Sequence, residues 1–175
     1  MSNLKKREYN RSLLVLCAGA KSYHADFCLI EPLLNIGNTL VIDRIRKRFN
    51  NERIKIYIAY SDKFDHLEKI ESFKGLNFIN VGRTKGVIET IKLALNFIDE
   101  KYVEIIPITT IPNKKYSNKK AIYFADKEIF KECWSSVEYL KNNDLKFLSK
   151  KHKSYNFKST YPFTGRISSS KKDIL

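Results

Sequence analysis

Residues 18–22 read Ala-Gly-Ala-Lys-Ser and follow directly on an apolar run, Ser12–Cys17 (S-L-L-V-L-C). Small residues let a chain leave a strand in a tight turn and bring its backbone N–H groups against phosphate oxygens. In such a cradle Ala18, Gly19 and Ala20 supply amides, Ser22 a hydroxyl, and Lys21 the cation, which makes Lys21 the candidate catalytic residue. The spacing matches neither G-x-x-x-x-G-K-[ST] nor G-x-G-x-x-G, so an ordinary strand-to-loop turn is the simpler account of these five residues taken alone. Two further polar segments stand at the ends of apolar runs: Arg83-Thr84-Lys85-Gly86, which opens a helix-period stretch, and Thr109-Thr110. Trp134 offers an aromatic face for a sugar ring or a base, although a lone tryptophan is more often core. His24, His66 and His152 sit among charged or loop residues, and no Ser-His-Asp or Cys-His constellation can be assembled.

These segments need elements to hold them, and the hydrophobic periodicity supplies candidates. Ser12–Cys17, Ile54–Tyr60, Leu76–Val81 and Val103–Ile108 are short apolar or β-branched runs of strand type. Between them, Thr39–Phe49 places Leu40, Val41, Ile45 and Phe49 on one helical face, with Arg44, Arg46, Lys47 and Arg48 outward. Asp62–Phe73 repeats Phe64, Leu67, Ile70 and Phe73, and Gly86–Ile98 repeats Val87, Ile88, Ile91, Leu95 and Ile98, so both are predicted as helices. A period alternating between 2 and 3.6 indicates βαβ units around a mostly parallel sheet, with ligands at the carboxyl ends of the strands. Beyond Pro112 the pattern predicts strands at Lys120–Ala125, Leu145–Ser149 and Phe163–Ile167, a short helix at Ser136–Lys141, and a helix start at Ser169–Leu175. That last signal runs for about two turns at most, and is expected to belong to a domain cut from a longer protein.

Taken in order, three segments raise the weight of the first. The strand and A-G-A-K-S are followed by Glu31-Pro-Leu-Leu-Asn-Ile-Gly37, then by Val81-Gly-Arg-Thr-Lys-Gly-Val-Ile-Glu-Thr90, then by a strand into Pro107-Ile-Thr-Thr-Ile-Pro112. This succession resembles the sugar-phosphate nucleotidyltransferases (nucleotide-sugar pyrophosphorylases and choline-phosphate cytidylyltransferase relatives), over residues 12–112, with a looser echo at 120–175. The resemblance implies a Rossmann-like three-layer α/β sandwich, with residues 1–11 as a tail, 12–112 as a nucleotide-binding half and 113–175 as an acceptor-side half of one domain. It implies a nucleoside triphosphate and a phosphorylated sugar or alcohol as ligands, and Mg²⁺ as cofactor if the protein is active. Ala18–Ser22 would then cradle triphosphate and Arg83–Gly86 would approach the nucleotide. Thr109 and Thr110 would border the metal position, while Gly165, Arg166 and Trp134 would hold the acceptor.

The departures from that pattern bear on chemistry. Ala20 replaces a glycine, Tyr23 an arginine, Glu31 a lysine, and Thr109–Thr110 stand where the metal-binding Asp belongs. A hydroxyl is a weaker ligand for a hard divalent cation than a carboxylate. A catalytically silent member of the fold is therefore kept as an alternative, with a basic RNA-associated protein as a further one.

Composition bounds these readings. In 175 residues, 33 Lys+Arg against 19 Asp+Glu give a formal charge of +14, and the basic excess is steeper beyond Thr110 than before it. Such a charge suits phosphorylated ligands, nucleic acid or anionic lipid. The basic residues are interleaved with Asn, Ser and Tyr and form no continuous block, so nucleic acid is not expected as a partner. A hydrophobic fraction of 43% argues for a packed core. The apolar stretch Leu13–Ala20 is far short of the roughly 20 residues that span a bilayer. Three cysteines, Cys17, Cys28 and Cys133, are odd in number and fit no metal spacing, so a reduced, cytoplasmic protein is expected.

Overall fold

The computed structural model describes residues 10–18, 23–24, 29–30, 33, 35–50, 54–62, 66–112, 121–124, 136–139, 145–148 and 160–174. The chain divides into two compact units, one of Met1–Ala121 with Ile167–Leu175, the other of Ile122–Arg166.

In the first unit, strand β1 (Arg11–Leu16) is the spine. Its alternating side chains are buried on both faces, as expected for a central strand of a covered parallel sheet. Two short pairs follow it, β2 (Tyr23–His24) with β3 (Leu29–Ile30), and β4 (Asn35–Ile36) with β5 (Thr39–Leu40). The second is a two-residue hairpin through Gly37 and Asn38, with Gly37 at φ 62°. Glycine takes this left-handed geometry at little cost. Helix α1 (Val41–Phe49) starts only after it, so Thr39 and Leu40, expected in the helix, belong to the hairpin instead. Strands β6 (Lys55–Tyr60) and β7 (Asn77–Asn80), helix α2 (Val87–Leu95) and strand β8 (Tyr102–Pro107) complete the predicted alternation.

β1 pairs in parallel with β6 on one side and β8 on the other, and β6 pairs in parallel with β7. The order β7-β6-β1-β8 means that the chain steps outward from β1 and then returns to its far side. Residues Ile167–Ser170 add an antiparallel edge beside β8. Val41, Ile42, Ile45 and Phe49 of α1 cover one face of the sheet, over Leu13, Val15, Ile58 and Ile106. Ile91, Ala94 and Leu95 of α2 cover the other, over Leu14, Ala59 and Ile105. The unit is thus a three-layer α/β sandwich with a mostly parallel sheet.

Two predicted helices are absent. Within Asp62–Phe73 the described residues form two 3₁₀ turns, Leu67–Lys69 and Glu71–Phe73, with Ile70 extended between them at φ −83°, ψ 133°. Ile70 breaks the helical period, so a spacing of three that reads as helical is met by two separate short turns. Leu67 and Phe73 are fully buried beside α1. Ser72 secures the contact: its hydroxyl donates to Asp43 (2.7 Å) and its carbonyl accepts from Arg46 (2.6 Å).

In the second unit, Ser136–Tyr139 is strand β10 and not the predicted helix. It pairs antiparallel with β11 (Leu145–Leu148) and with β12 (Thr160–Ser170). Pairing on both sides overrides the helix-forming tendency of isolated residues such as Glu138. Strand β9 (Ala121–Phe124) also pairs with β12. The chain continues into a one-turn helix α3 (Lys171–Ile174), where the Asp173 amide donates to Ser170 Oγ (3.3 Å); Ser169 and Ser170, expected to open this helix, end strand β12 instead. Among the described residues no helix is long and apolar enough to cross a membrane.

The amino-terminal rim of the sheet buries charge. Glu104 is 1% exposed and pairs with Arg11 at 3.3 Å. Glu100, also buried, receives the Lys55 ammonium at 2.7 Å and the Tyr57 hydroxyl at 3.1 Å. The hydrogen bond to Glu100 raises the Lys55 pKa, and burial followed by the Glu100 charge raises that of Tyr57. Both groups then hold their protons more tightly folded than unfolded, so their contribution is full below the unfolded values. It is lost as pH rises beyond about 10. Urea midpoints measured between pH 8 and 11 are expected to fall at the alkaline end, and less so in Glu100→Gln. Phe73→Ala, which empties a fully buried site, is expected to cost about 3–5 kcal/mol in the same assay at pH 7.

Candidate nucleotide site at the carboxyl edge of the sheet

The strand order reverses between β1 and β8, and in open α/β sheets the crevice outside the strand carboxyl ends at such a point receives ligands. The backbone there is held tightly. Beyond β1, the Cys17 amide donates to Ala59 O (2.8 Å), and beyond β8, the Ile108 amide donates to Leu16 O (3.1 Å), so the tip of β1 is gripped from both sides. Ala18 packs into the apolar cluster of Val81, Ile91 and Ala94, which ties the β1 tip to α2. β8 leaves through a turn in which the Thr110 amide donates to Pro107 O (3.0 Å), with Thr109 exposed at the corner and Thr110 half-buried.

The loop between β7 and α2 carries most of the described polar groups at this edge. The Val81 amide donates to Tyr60 O (2.9 Å). Gly82 then turns at φ 62°, and its amide donates to Asn80 Oδ1 (2.8 Å), while Asn80 Nδ2 donates to Asp62 Oδ1 (2.7 Å). Further along, the Thr84 and Thr90 hydroxyls lie 2.7 Å apart, Thr90 Oγ1 also reaches Gly86 O (3.2 Å), and the Lys85 amide donates to Glu89. Arg83, Lys85 and Gly86 are exposed. Among the described residues, neither the Arg83 guanidinium nor the Lys85 ammonium has a hydrogen bond or ion pair. A shallow depression, lined by Lys85–Glu89 and Lys92, lies beside them. Two uncommitted cations on a braced glycine turn at the carboxyl edge of a parallel sheet are suited to an anion such as phosphate.

The structure therefore brings Ala18, Arg83, Thr84, Lys85, Gly86, Thr109 and Thr110 to one edge of one unit. Gly19, Ala20, Lys21, Ser22 and Trp134 lie outside the described residues. Gly165 and Arg166 fall on β12, Arg166 being 3% exposed. Among the described residues the edge does not fit a divalent cation. No three His, Cys, Asp or Glu gather there, the β8 exit offers hydroxyls, and Asp62 and Glu89 already accept from Asn80 and Lys85. Asn80, Asp62 and Thr90 are bracing residues that the motifs do not single out. Asn80-Val-Gly82 does carry a legible sign, since Asn two residues before a turning Gly closes an Asx-turn.

A parallel β7-β6-β1-β8 sheet between helical layers, extended by an antiparallel strand beyond β8, is the fold of the nucleotide-diphospho-sugar transferases. Solved structures agree. HddC from Yersinia pseudotuberculosis, complexed with GMP-PN, superposes with a TM-score of 0.71 at 16% identity, over 93% of this chain and 78% of that one. CMP:2-keto-3-deoxy-manno-octonic acid synthetase complexed with CTP gives 0.65 at 11% identity, over 94% and 76%. The inositol-1-phosphate CTP transferase from T. maritima gives 0.62 at 15% identity, over 95% and 72%. No protein-family model matches the sequence, and comparison with curated proteins finds no match.

Gly82 allows a test of the turn itself. A Cβ added there meets nothing within 4 Å, so only the positive φ opposes it. Gly82→Ala is expected to cost about 1 kcal/mol, read as a melting shift of roughly 2–4 °C.

Proposed function

We propose that this protein is a nucleotidyltransferase. It binds a nucleoside triphosphate, CTP or UTP, and a phosphorylated sugar or alcohol, and transfers NMP with release of pyrophosphate, as a cytoplasmic step of surface-glycan biosynthesis. The observation that carries the reading is the braced loop with its two exposed cations, Arg83 and Lys85, which have no side-chain partner among the described residues, at the carboxyl edge of this fold. The GMP-PN and CTP complexes of HddC and the octonic acid synthetase support the choice of ligand class.

In the reaction an oxygen of the acceptor phosphate attacks the α-phosphorus, and the bond from that phosphorus to the pyrophosphate oxygen breaks. Little covalent chemistry falls to the protein, so positioning and charge stabilisation supply the rate. In this reading Arg83 and Lys85 offset the triphosphate charge and Gly86 lets the nucleotide approach the backbone. Ala18–Ser22, with the Lys21 cation, cradle the phosphates, and Gly165, Arg166 and Trp134 serve the acceptor. Mg²⁺, the cofactor of this reading if the protein is active, would supply further neutralisation of the triphosphate charge.

A thermal-shift panel of the four nucleoside triphosphates with Mg²⁺ tests the binding. CTP or UTP at about a hundred times its Kd adds about 2.7 kcal/mol to stability, several degrees in Tm. Arg83→Ala with Lys85→Ala is expected to remove that shift. Indifference to every nucleotide contradicts the reading. Pyrophosphate release with a panel of sugar phosphates tests turnover, and binding without release identifies a catalytically silent member of the fold.

A further inference from the structure

Thr90 lies in the first turns of α2, is 4% exposed, and is set among the apolar residues by which that helix covers the sheet. Serine and threonine are poor choices for a buried helix interior unless the hydroxyl has work to do. Here it has two partners. It sits 2.7 Å from Thr84 Oγ1 and 3.2 Å from the Gly86 carbonyl, so it joins a buried helical position to both sides of Lys85 in the preceding loop. A hydroxyl has one proton. When Thr90 donates to Gly86 O, Thr84 donates to Thr90, and the orientation of both threonines is set together. The loop's other end is fastened separately by Asn80, which accepts from the Gly82 amide. Between these two fastenings stand Arg83 and Lys85, both exposed and both without a side-chain partner among the described residues.

We propose that Thr90 is a positioning residue for nucleotide binding: through Thr84 and Gly86 it holds the loop in the shape that presents Arg83 and Lys85 to a triphosphate, without touching the ligand itself. This rests on the nucleotidyltransferase reading above. Its physical content is preorganisation. A loop already in its bound shape loses less conformational freedom on binding, and long cationic side chains gain most from a fixed base. Thr90→Val keeps the shape of the buried side chain and deletes both hydroxyl hydrogen bonds, leaving only the Thr90 amide on Gly86 O (3.1 Å). Thr90→Ser keeps both. Thr84→Val deletes the bridge between the hydroxyls from the more exposed end.

The test is calorimetric titration of the full chain with CTP and UTP in Mg²⁺, alongside melting curves. For whichever nucleotide the wild type binds, Thr90→Val is expected to raise Kd about tenfold while Tm moves by only about 2–4 °C. Thr90→Ser is expected to stay within about twofold of wild type. Thr84→Val, which removes only the bridge between the hydroxyls, is expected to lose affinity in the same direction, and the double variant no more than Thr90→Val, because that bridge is already gone in either single one. A Thr90→Val protein that melts lower but binds as wild type does overturns the inference and leaves the nucleotide reading standing. Additive losses in the double variant overturn it too. If Thr90→Val does not fold, Thr84→Val decides alone, unchanged affinity overturning the proposal. A wild type that binds neither nucleotide removes the reading itself, and the inference with it.

Discussion

The parallel ladder on either side of β1 is the constraint from which the rest of the first unit follows. Leu13, Leu14 and Val15 are fully buried, and β1 is hydrogen-bonded along its length to β6 and β8. Parallel pairing leaves every strand's carboxyl end on the same edge, so the exits of β1, β7 and β8 open together whatever residues they carry. The ladder runs on past the strands through Cys17 and Ile108, so the tip of β1 has little room to shift. The core supplies rigidity, and the loops supply chemistry on a frame they did not have to build.

Charge is divided between the two rims of that frame. At the amino end the carboxylates Glu100 and Glu104 are buried and matched by Lys55, Tyr57 and Arg11. At the carboxyl end Arg83 and Lys85 stay exposed. A buried pair contributes little to net stability and is costly to break, whereas an exposed cation is easily hydrated and available to a ligand. The separation lets one rim serve cohesion and the other recognition.

Much of this was legible in the residues. The four parallel strands and both long helices follow from apolar runs and helical spacing, and the placing of Ala18, Arg83–Gly86 and Thr109–Thr110 on one edge follows from βαβ connectivity alone. The failures have local causes. The segment ending at Phe73 carries a helix-like spacing, yet its apolar residues step by three and an extended Ile70 splits it into two short turns. The Gly37–Asn38 hairpin has strands of only two residues each, too short to show a period of their own beside the helix that follows. Ser136–Tyr139 became a strand through partners distant in sequence. The Thr84–Thr90 bridge was not legible either: two threonines six residues apart meet only because the chain bends at Lys85 and Gly86 as it enters α2. Lys21, Ser22 and Trp134 lie outside the described residues.

The last stretch of the chain has a bearing on solubility. Ile167–Ser170 lies against β8, and Lys171 then clasps the carbonyls of Lys101 and Ile98, by its amide at 2.9 Å and its ammonium at 2.8 Å, while Ile174 tucks under α2. Without that clasp, β8 (with Val103, Ile105 and Ile106 buried) would present an open row of amides and carbonyls, the kind of margin along which unrelated chains zip together. The opposite margin, β7, is four residues long and begins and ends in asparagine, which makes a poor template. The carboxyl-terminal segment thus works as a selvedge, keeping the sheet from fraying into aggregates along β8.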